Sequence, residues 1–175
     1  MAVEYEKKGH VAIITMNRPE ARNAINGEMA QTMEAALDQM ESDPEVWVGI
    51  LTAVGKAFCA GADLKEFVDE GPVEIMRRRS ERYWNTVAAT PQPVIAAING
   101  YAMGGGLELA MACDLIIIGE SAQIGQPEIK VGIMPGAGGT QRLTRAVGKF
   151  QAMKMCLTGK PISGVEAHAM GLASE

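Results

Sequence analysis

Two glutamates and a run of three glycines are the residues of this chain best suited to chemistry. Glu108 stands two residues past Gly104-Gly105-Gly106, within Asn99-Gly-Tyr-Ala-Met-Gly-Gly-Gly-Leu-Glu-Leu-Ala-Met-Ala-Cys-Asp114. Glu128 follows twenty residues later, in Gly-Gln-Pro-Glu-Ile. Adjacent glycines let backbone N–H groups approach a ligand with no Cβ in the way. An apolar helical run begins directly after them, and a helix start adds free N–H groups and a positive dipole end. Such donors hold an oxygen that gains negative charge during a reaction. Together with two carboxyl groups, the pattern points to acid/base chemistry beside a polarised carbonyl.

Each residue also has a plainer reading. Glu108 alone is a first-turn glutamate favoured by the helix dipole and usually solvated. Its neighbours Leu107, Leu109, Ala110 and Met111 are apolar, however, and burial would raise its pKa toward a value useful to a general acid or base. Glu128 follows Pro127 and, taken singly, is an exposed loop carboxylate. Pro135-Gly-Ala-Gly-Gly139 is either a turn before a helix or a second place where backbone comes close to a ligand. The stretch Lys56-Ala-Phe-Cys-Ala-Gly-Ala-Asp-Leu-Lys65 is either a surface loop or a narrow backbone slot flanked by cations, suited to a phosphate-bearing ligand. Arg77-Arg78-Arg79 fits a solvated helix face better than a phosphate site. The glycines do not have dinucleotide-fingerprint spacing, and the Gly-Lys pairs at Lys56, Lys149 and Lys160 lack the Ser/Thr of a P-loop.

Composition narrows the class. The 175 residues suit a single domain over 1–175, and 47% hydrophobic residues can fill a core. A net charge of −5 gives no sign of a nucleic-acid partner. No apolar run is long enough to span a bilayer and the N-terminus has no signal-peptide core, so a cytoplasmic protein without membrane association is expected. Cys59, Cys113 and Cys156 are an odd, dispersed set, expected to be free thiols used in packing. With only His10 and His168, a histidine metal site or a Ser-His-Asp triad has little to draw on.

The elements that must position these groups alternate. Val11–Met16 is a β-rich run, hairpinned with residues 3–6 through Lys8-Gly9. Asn26 caps a helix reaching about Met40, with Met29, Met33, Ala36, Leu37 and Met40 on one face. Residues 46–52 form a second strand, expected to be buried on both faces. Residues 53–61 are a loop, and a helix covers 73–89, ending before Pro91-Gln-Pro93. Strands at 94–98 and 115–118 bracket the glycine run and its helix. The alternation makes the class α/β. From Gly139 the pattern is helical, and Ser163-Gly-Val-Glu166 matches a capping box. Gly171-Leu-Ala-Ser-Glu175 resembles the start of another element, so a further C-terminal portion is expected.

Four motifs in order carry a resemblance that runs from Val11 to Gly171. They are Asn17-Arg-Pro-Glu-Ala-Arg-Asn-Ala-Ile-Asn26, Ala57-Phe-Cys-Ala-Gly-Ala-Asp-Leu-Lys65, the Asn99–Asp114 stretch, and Gly125-Gln-Pro-Glu-Ile with Pro135-Gly-Ala-Gly-Gly-Thr-Gln-Arg-Leu143. The chain resembles the enoyl-CoA hydratase/isomerase (crotonase) superfamily, and within it the true hydratases. The resemblance implies a spiral of ββα units around two roughly perpendicular sheets. It implies trimers or hexamers built with C-terminal helices. It places the oxyanion hole at the N–H groups of Ala62 and Gly105. Ala60, Asp63, Leu64 and Lys65 would surround the CoA adenine and phosphates, with Lys56 assisting and Arg18 a weaker candidate. Glu108 would be the base and Glu128 the acid around one water, with Gly136 behind that water.

The reaction implied is reversible syn hydration of a 2-trans-enoyl-CoA, as in fatty-acid β-oxidation. It needs no cofactor or metal, since CoA is part of the substrate. Isomerisation, carnitinyl-CoA-type dehydration, and a non-catalytic CoA- or RNA-binding scaffold are the alternatives. Met103, Leu107, Met111 and the stretch 68–76 are candidates for the acyl tunnel.

Overall fold

The computed structural model describes residues 1–68, 70–78 and 81–175. Asp69, Arg79 and Ser80 lie outside the described residues, so the basic run at 77–79 and the candidate acyl stretch at 68–76 are covered only in part.

Strand β1 (Val3–Lys8) turns back into β2 (Val11–Met16) through Gly9, and the two pair antiparallel. Helix α1 (Gly27–Glu41) follows, and the Asn26 side chain accepts the N–H of Met29 at 2.9 Å. Satisfying one orphan N–H in this way is what fixes a helix start. Met29, Ala30, Met33, Ala36, Leu37 and Met40 form its buried face, at the expected helical spacing.

Three strand pairs then repeat one plan. In each pair the first strand joins one sheet and the next, a few residues later, joins another. These are β3 (Val48–Ala53) with β4 (Ala57–Cys59), β5 (Val94–Ile98) with β6 (Tyr101–Met103), and β7 (Leu115–Ile118) with β8 (Gln123–Gly125). The larger sheet has the order β1-β2-β3-β5-β7, parallel from β2 onward. The smaller has the order β4-β6-β8-β9, where β9 (Ile162–Ser163) runs antiparallel at the edge. Both sheets are mixed, and the class is α/β as expected.

Three expectations need correction. The stretch expected to be a loop at 53–61 contains β4, whose three residues are too few for strand alternation to show in the sequence. Strand β3 is not buried on both faces, because Gly49, Leu51 and Ala53 face the core while Val48, Ile50 and Thr52 are only half-buried. Strand periodicity separates the two sets, and only one is fully covered. The single helix expected at 73–89 is two elements, α2 (Pro72–Arg78) and α3 (Glu81–Ala89).

Helix α4 (Gly105–Ala110) starts at the end of β6, and α5 (Gly139–Thr158) packs against it, interrupted where Gly148 leaves helical geometry. Helix α6 (Gly164–Ala169) has the reciprocal Ser163/Glu166 capping box anticipated from the sequence. No helix among the described residues is long and apolar enough to cross a membrane. Cys59, Cys113 and Cys156 are all free.

Candidate active site

The smaller sheet brings the motifs together. Its strand β4 delivers the chain into Ala60-Gly61-Ala62-Asp63, and β6 delivers it into Gly104-Gly105. Gly106 packs against the Cys59 carbonyl with no room for a Cβ, which sets the two segments side by side. A Cβ on Gly105 would lie 3.4 Å from the Ala62 nitrogen, and one on Gly61 would lie 3.2 Å from the Gly105 nitrogen. The Ala62 and Gly105 amides are therefore neighbours. Among the described residues neither N–H donates to a protein acceptor.

A splint from the first motif braces this loop. Ile25 bridges Ala62 in parallel, its N–H donating to the Gly61 carbonyl at 2.8 Å and its carbonyl accepting from Asp63 at 2.9 Å. The Ala60 N–H donates to the Arg22 carbonyl at 3.0 Å. Arg22 and Asn23 both take positive φ, at 52° and 54°. The fully buried Asn23 side chain accepts the Arg18 N–H at 2.8 Å and donates to the carbonyls of Val54 and Ala57 at 3.0 and 2.7 Å. Arg18 donates to the Ala24 carbonyl at 2.7 Å and pairs with Asp63 at 3.3 Å. Asp63 also accepts the Lys65 N–H at 3.3 Å. Both side chains are thus engaged in holding the loop. Lys56, Ala60, Leu64 and Lys65 are exposed along it.

The two glutamates flank the amides from the other side. Glu108, on α4, is 2% exposed. Its Oε1 accepts the N–H of Ala137 at 2.8 Å and that of Gly139 at 2.7 Å. Burial raises the Glu108 pKa above the ordinary carboxylate value, while these two N–H groups and the Arg142 charge pull it back down. Glu128 opens a 3-10 turn (Glu128–Val131) after β8. Its carboxyl is pushed up to about 7, first by burial and then by the Glu108 charge, against the pull of its own backbone N–H. Glu128 Oε1 lies close enough to Gly104 that a Cβ there would be 3.1 Å away. The fully buried Gln126 amide, turned with its nitrogen toward Glu128, donates to the two carboxyl oxygens at 2.7 and 3.1 Å.

Four participants were not identified from sequence. Ala137 and Gly139 act through backbone N–H groups, which carry no residue-type signal beyond the glycine cluster already noted. Gln126 is adjacent to the Pro127-Glu128 pair, but its burial against the carboxyl is set by the fold and leaves no signal in the sequence. Trp84, on α3, donates its indole N–H to the Gly105 carbonyl at 2.6 Å. Gly136 itself is exposed, with open space where a Cβ would go, and it is the residues just after it that reach Glu108. Among the described residues no group of three or more His, Cys, Asp or Glu side chains could hold a metal ion.

The family model described as enoyl-CoA hydratase/isomerase matches residues 6–175. A probable enoyl-CoA hydratase of Mycobacterium tuberculosis is 46% identical over 169 residues, covering 97% of this chain and 66% of that protein. A mitochondrial enoyl-CoA hydratase of Pongo abelii is 48% identical over 173 residues, covering 97% of this chain and 60% of that protein. The crystal structure of an enoyl-CoA hydratase from Bacillus anthracis superposes with a TM-score of 0.94 at 41% identity, over 99% of this chain and 69% of that one. The chain spans a little under two thirds of the length of the curated relatives it matches. With its matched motifs and its paired sheets, this chain belongs to the enoyl-CoA hydratase/isomerase family.

Proposed function

We propose that the protein catalyses reversible syn hydration of a 2-trans-enoyl-CoA to a 3-hydroxyacyl-CoA. The observation that carries this reading is the convergence of two unlike carboxyls beside two adjacent free amides. The N–H groups of Ala62 and Gly105 receive the thioester oxygen and stabilise the enolate-like charge that develops when Cβ is attacked. Glu108, its carboxyl oriented by two backbone donors, takes a proton from the water whose oxygen bonds to Cβ. Glu128, with its pKa near 7, supplies the proton that bonds to Cα. Two carboxyls in one site rarely both ionise, so one proton shared across the pair is the resting arrangement. Exchange with solvent then moves the proton from Glu108 back to Glu128. Neither a metal nor a cofactor takes part in these steps. Gly136 lies in the turn behind the water, and its neighbour Ala137 fixes the base.

The exposed residues Lys56, Ala60, Leu64 and Lys65 are assigned to the CoA moiety, the two lysines meeting its phosphates. Asp63 contributes by shaping that loop with Arg18. A trimer or hexamer is part of the proposal. Met134, Phe150 and Leu157 are 75%, 84% and 62% exposed, an apolar surface of the kind that assembly covers. Three free cysteines favour a reducing, cytoplasmic compartment.

The direct test follows loss of the conjugated enoyl-thioester absorbance of crotonyl-CoA, using protein expressed from the complete open reading frame. Rapid loss that disappears in both Glu108→Gln and Glu128→Gln supports a two-glutamate hydratase. A folded protein that binds CoA yet leaves the absorbance unchanged refutes it, and 3-enoyl isomerisation becomes the next assay.

A further inference from the structure

Gly105 must present its N–H in one direction, yet it sits among three consecutive glycines, the residues with most backbone freedom. Its peptide neighbours are fixed from two sides. The Gly104 N–H donates to the Gly125 carbonyl at 2.8 Å, and Gly106 is wedged against Cys59. The Gly105 carbonyl is held by a side chain, since Trp84 Nε1 donates to it at 2.6 Å. The indole ring also lies over the α-carbon, so that a Cβ on Gly105 would be 2.8 Å from Trp84 Cζ2. Trp84 is 6% exposed, and its ring forms one wall of a cavity of about 90 Å³ bounded also by Ile25, Ala62, Phe67 and Tyr83. Ala62, whose amide neighbours that of Gly105, lines the same cavity.

We propose that Trp84 is a positioning residue for the oxyanion hole: its indole N–H, donated to the Gly105 carbonyl, fixes the orientation of the Gly105 peptide. This inference rests on the hydratase reading for its substrate. Its consequence is a link between α3 and the carbonyl-polarising amide. An error of about 1 Å in the placement of a group that must meet a transition state costs about 100-fold in rate.

The test replaces Trp84 in the complete protein with benzothienylalanine, which keeps the ring shape and removes only the N–H, and alongside it makes Trp84→Phe. Two quantities are read. One is the shift to longer wavelength of bound cinnamoyl-CoA, which reports polarisation of the thioester carbonyl without turnover. The other is crotonyl-CoA hydration. The expected result is a smaller shift than in the parent and a kcat lowered about tenfold to a hundredfold, with KM changed less than about threefold. Asn85→Ala, on the exposed side of the same helix, leaves both unchanged. If Trp84→Phe does not fold, the benzothienylalanine protein carries the test. A parent-like shift with kcat within about twofold of the parent overturns the proposal, because a purely structural tryptophan would change only stability. A parent that shifts the spectrum but hydrates nothing refutes the hydratase reading alone, and the shift still decides the role of Trp84. A parent that does neither overturns both.

Discussion

Glu128 rests against the backbone of Gly104, so closely that a Cβ on that glycine would stand 3.1 Å from Oε1. Gly104 has φ 54° and ψ −122°, a conformation that a side chain strains. Gly104→Ala is therefore expected to do two things at once. It costs about 1–3 kcal/mol of stability through backbone strain. It also displaces the carboxyl proposed to supply the Cα proton. Denaturant melts and initial rates on the same preparation check this: activity per folded molecule should fall by about 100-fold, and a variant as active as the parent would remove Glu128 from the chemistry.

The pH profile follows from the raised Glu128 pKa. The proposed acid must carry its proton, so kcat/KM should fall as pH rises through about 7. The proposed base must lose its proton, so an acid limb should appear above the ordinary glutamate range, where Glu108 is protonated. In Glu128→Gln the alkaline limb should vanish along with most of the rate. Initial rates across pH 4 to 9 decide this, and a parent profile with no alkaline limb near neutrality excludes Glu128 as the acid.

Stability should move with the same group. Glu128 binds its proton more tightly folded than unfolded, so its contribution is complete below about 4.5 and is lost as pH rises through about 7. Above that pH the folded protein holds a poorly solvated charge. Glu128→Gln should therefore be more stable than the parent at pH 8, by about 1–3 kcal/mol once solvent screening of this half-buried group is allowed for. At pH 4.5 the difference should nearly disappear. Urea midpoints at the two pH values are sufficient.

Glu108→Gln separates chemistry from folding. The glutamine oxygen can still accept the N–H groups of Ala137 and Gly139, so the fold should persist. The proposed base is gone, and kcat should drop by about 100- to 10,000-fold with KM little changed.

Arg18 should matter without touching substrate. Its guanidinium ties Ala24 and Asp63 across the base of the Ala62 loop, largely out of solvent. Arg18→Ala removes the charged partner of Asp63 and the side-chain donor to the Ala24 carbonyl, at a cost of about 1–3 kcal/mol. Thermal melts report the loss, and addition of guanidinium salts at millimolar concentration should restore part of it.

The legible parts of this molecule were those with enough length to show a period. Strands β5 and β7 are continuous apolar runs, β2 is apolar but for Thr15, and α1 and α6 carry side-chain caps at Asn26 and Ser163. Strands β4, β6 and β8 are three residues each and lie among turn-forming glycines, too short for alternation to register. Yet those short strands lead into the segments that hold the candidate site's amides and Glu128, and their pairing depends on neighbours far along the chain. Glu108, Glu128 and the glycine run stood out by residue type. Trp84 and Gln126 could not, because a tryptophan or a glutamine gains its role only from the backbone or carboxyl that the fold brings to it.

The hydrogen bonds from Ala137 and Gly139 to Glu108 have one more consequence. Helix α5 begins at Gly138-Gly139 and has no side-chain cap of its own. The Glu108 carboxylate, thirty-one residues earlier than Gly139, fills that place and puts negative charge at the positive end of the helix dipole. The proton balance of the proposed base and the docking of the part of α5 before Gly148 are then a single equilibrium. Acid that neutralises Glu108 also loosens the start of α5, so hydrogen-exchange protection at residues 139–143, relative to the intrinsic rate at each pH, should fall along the same titration curve as the loss of activity.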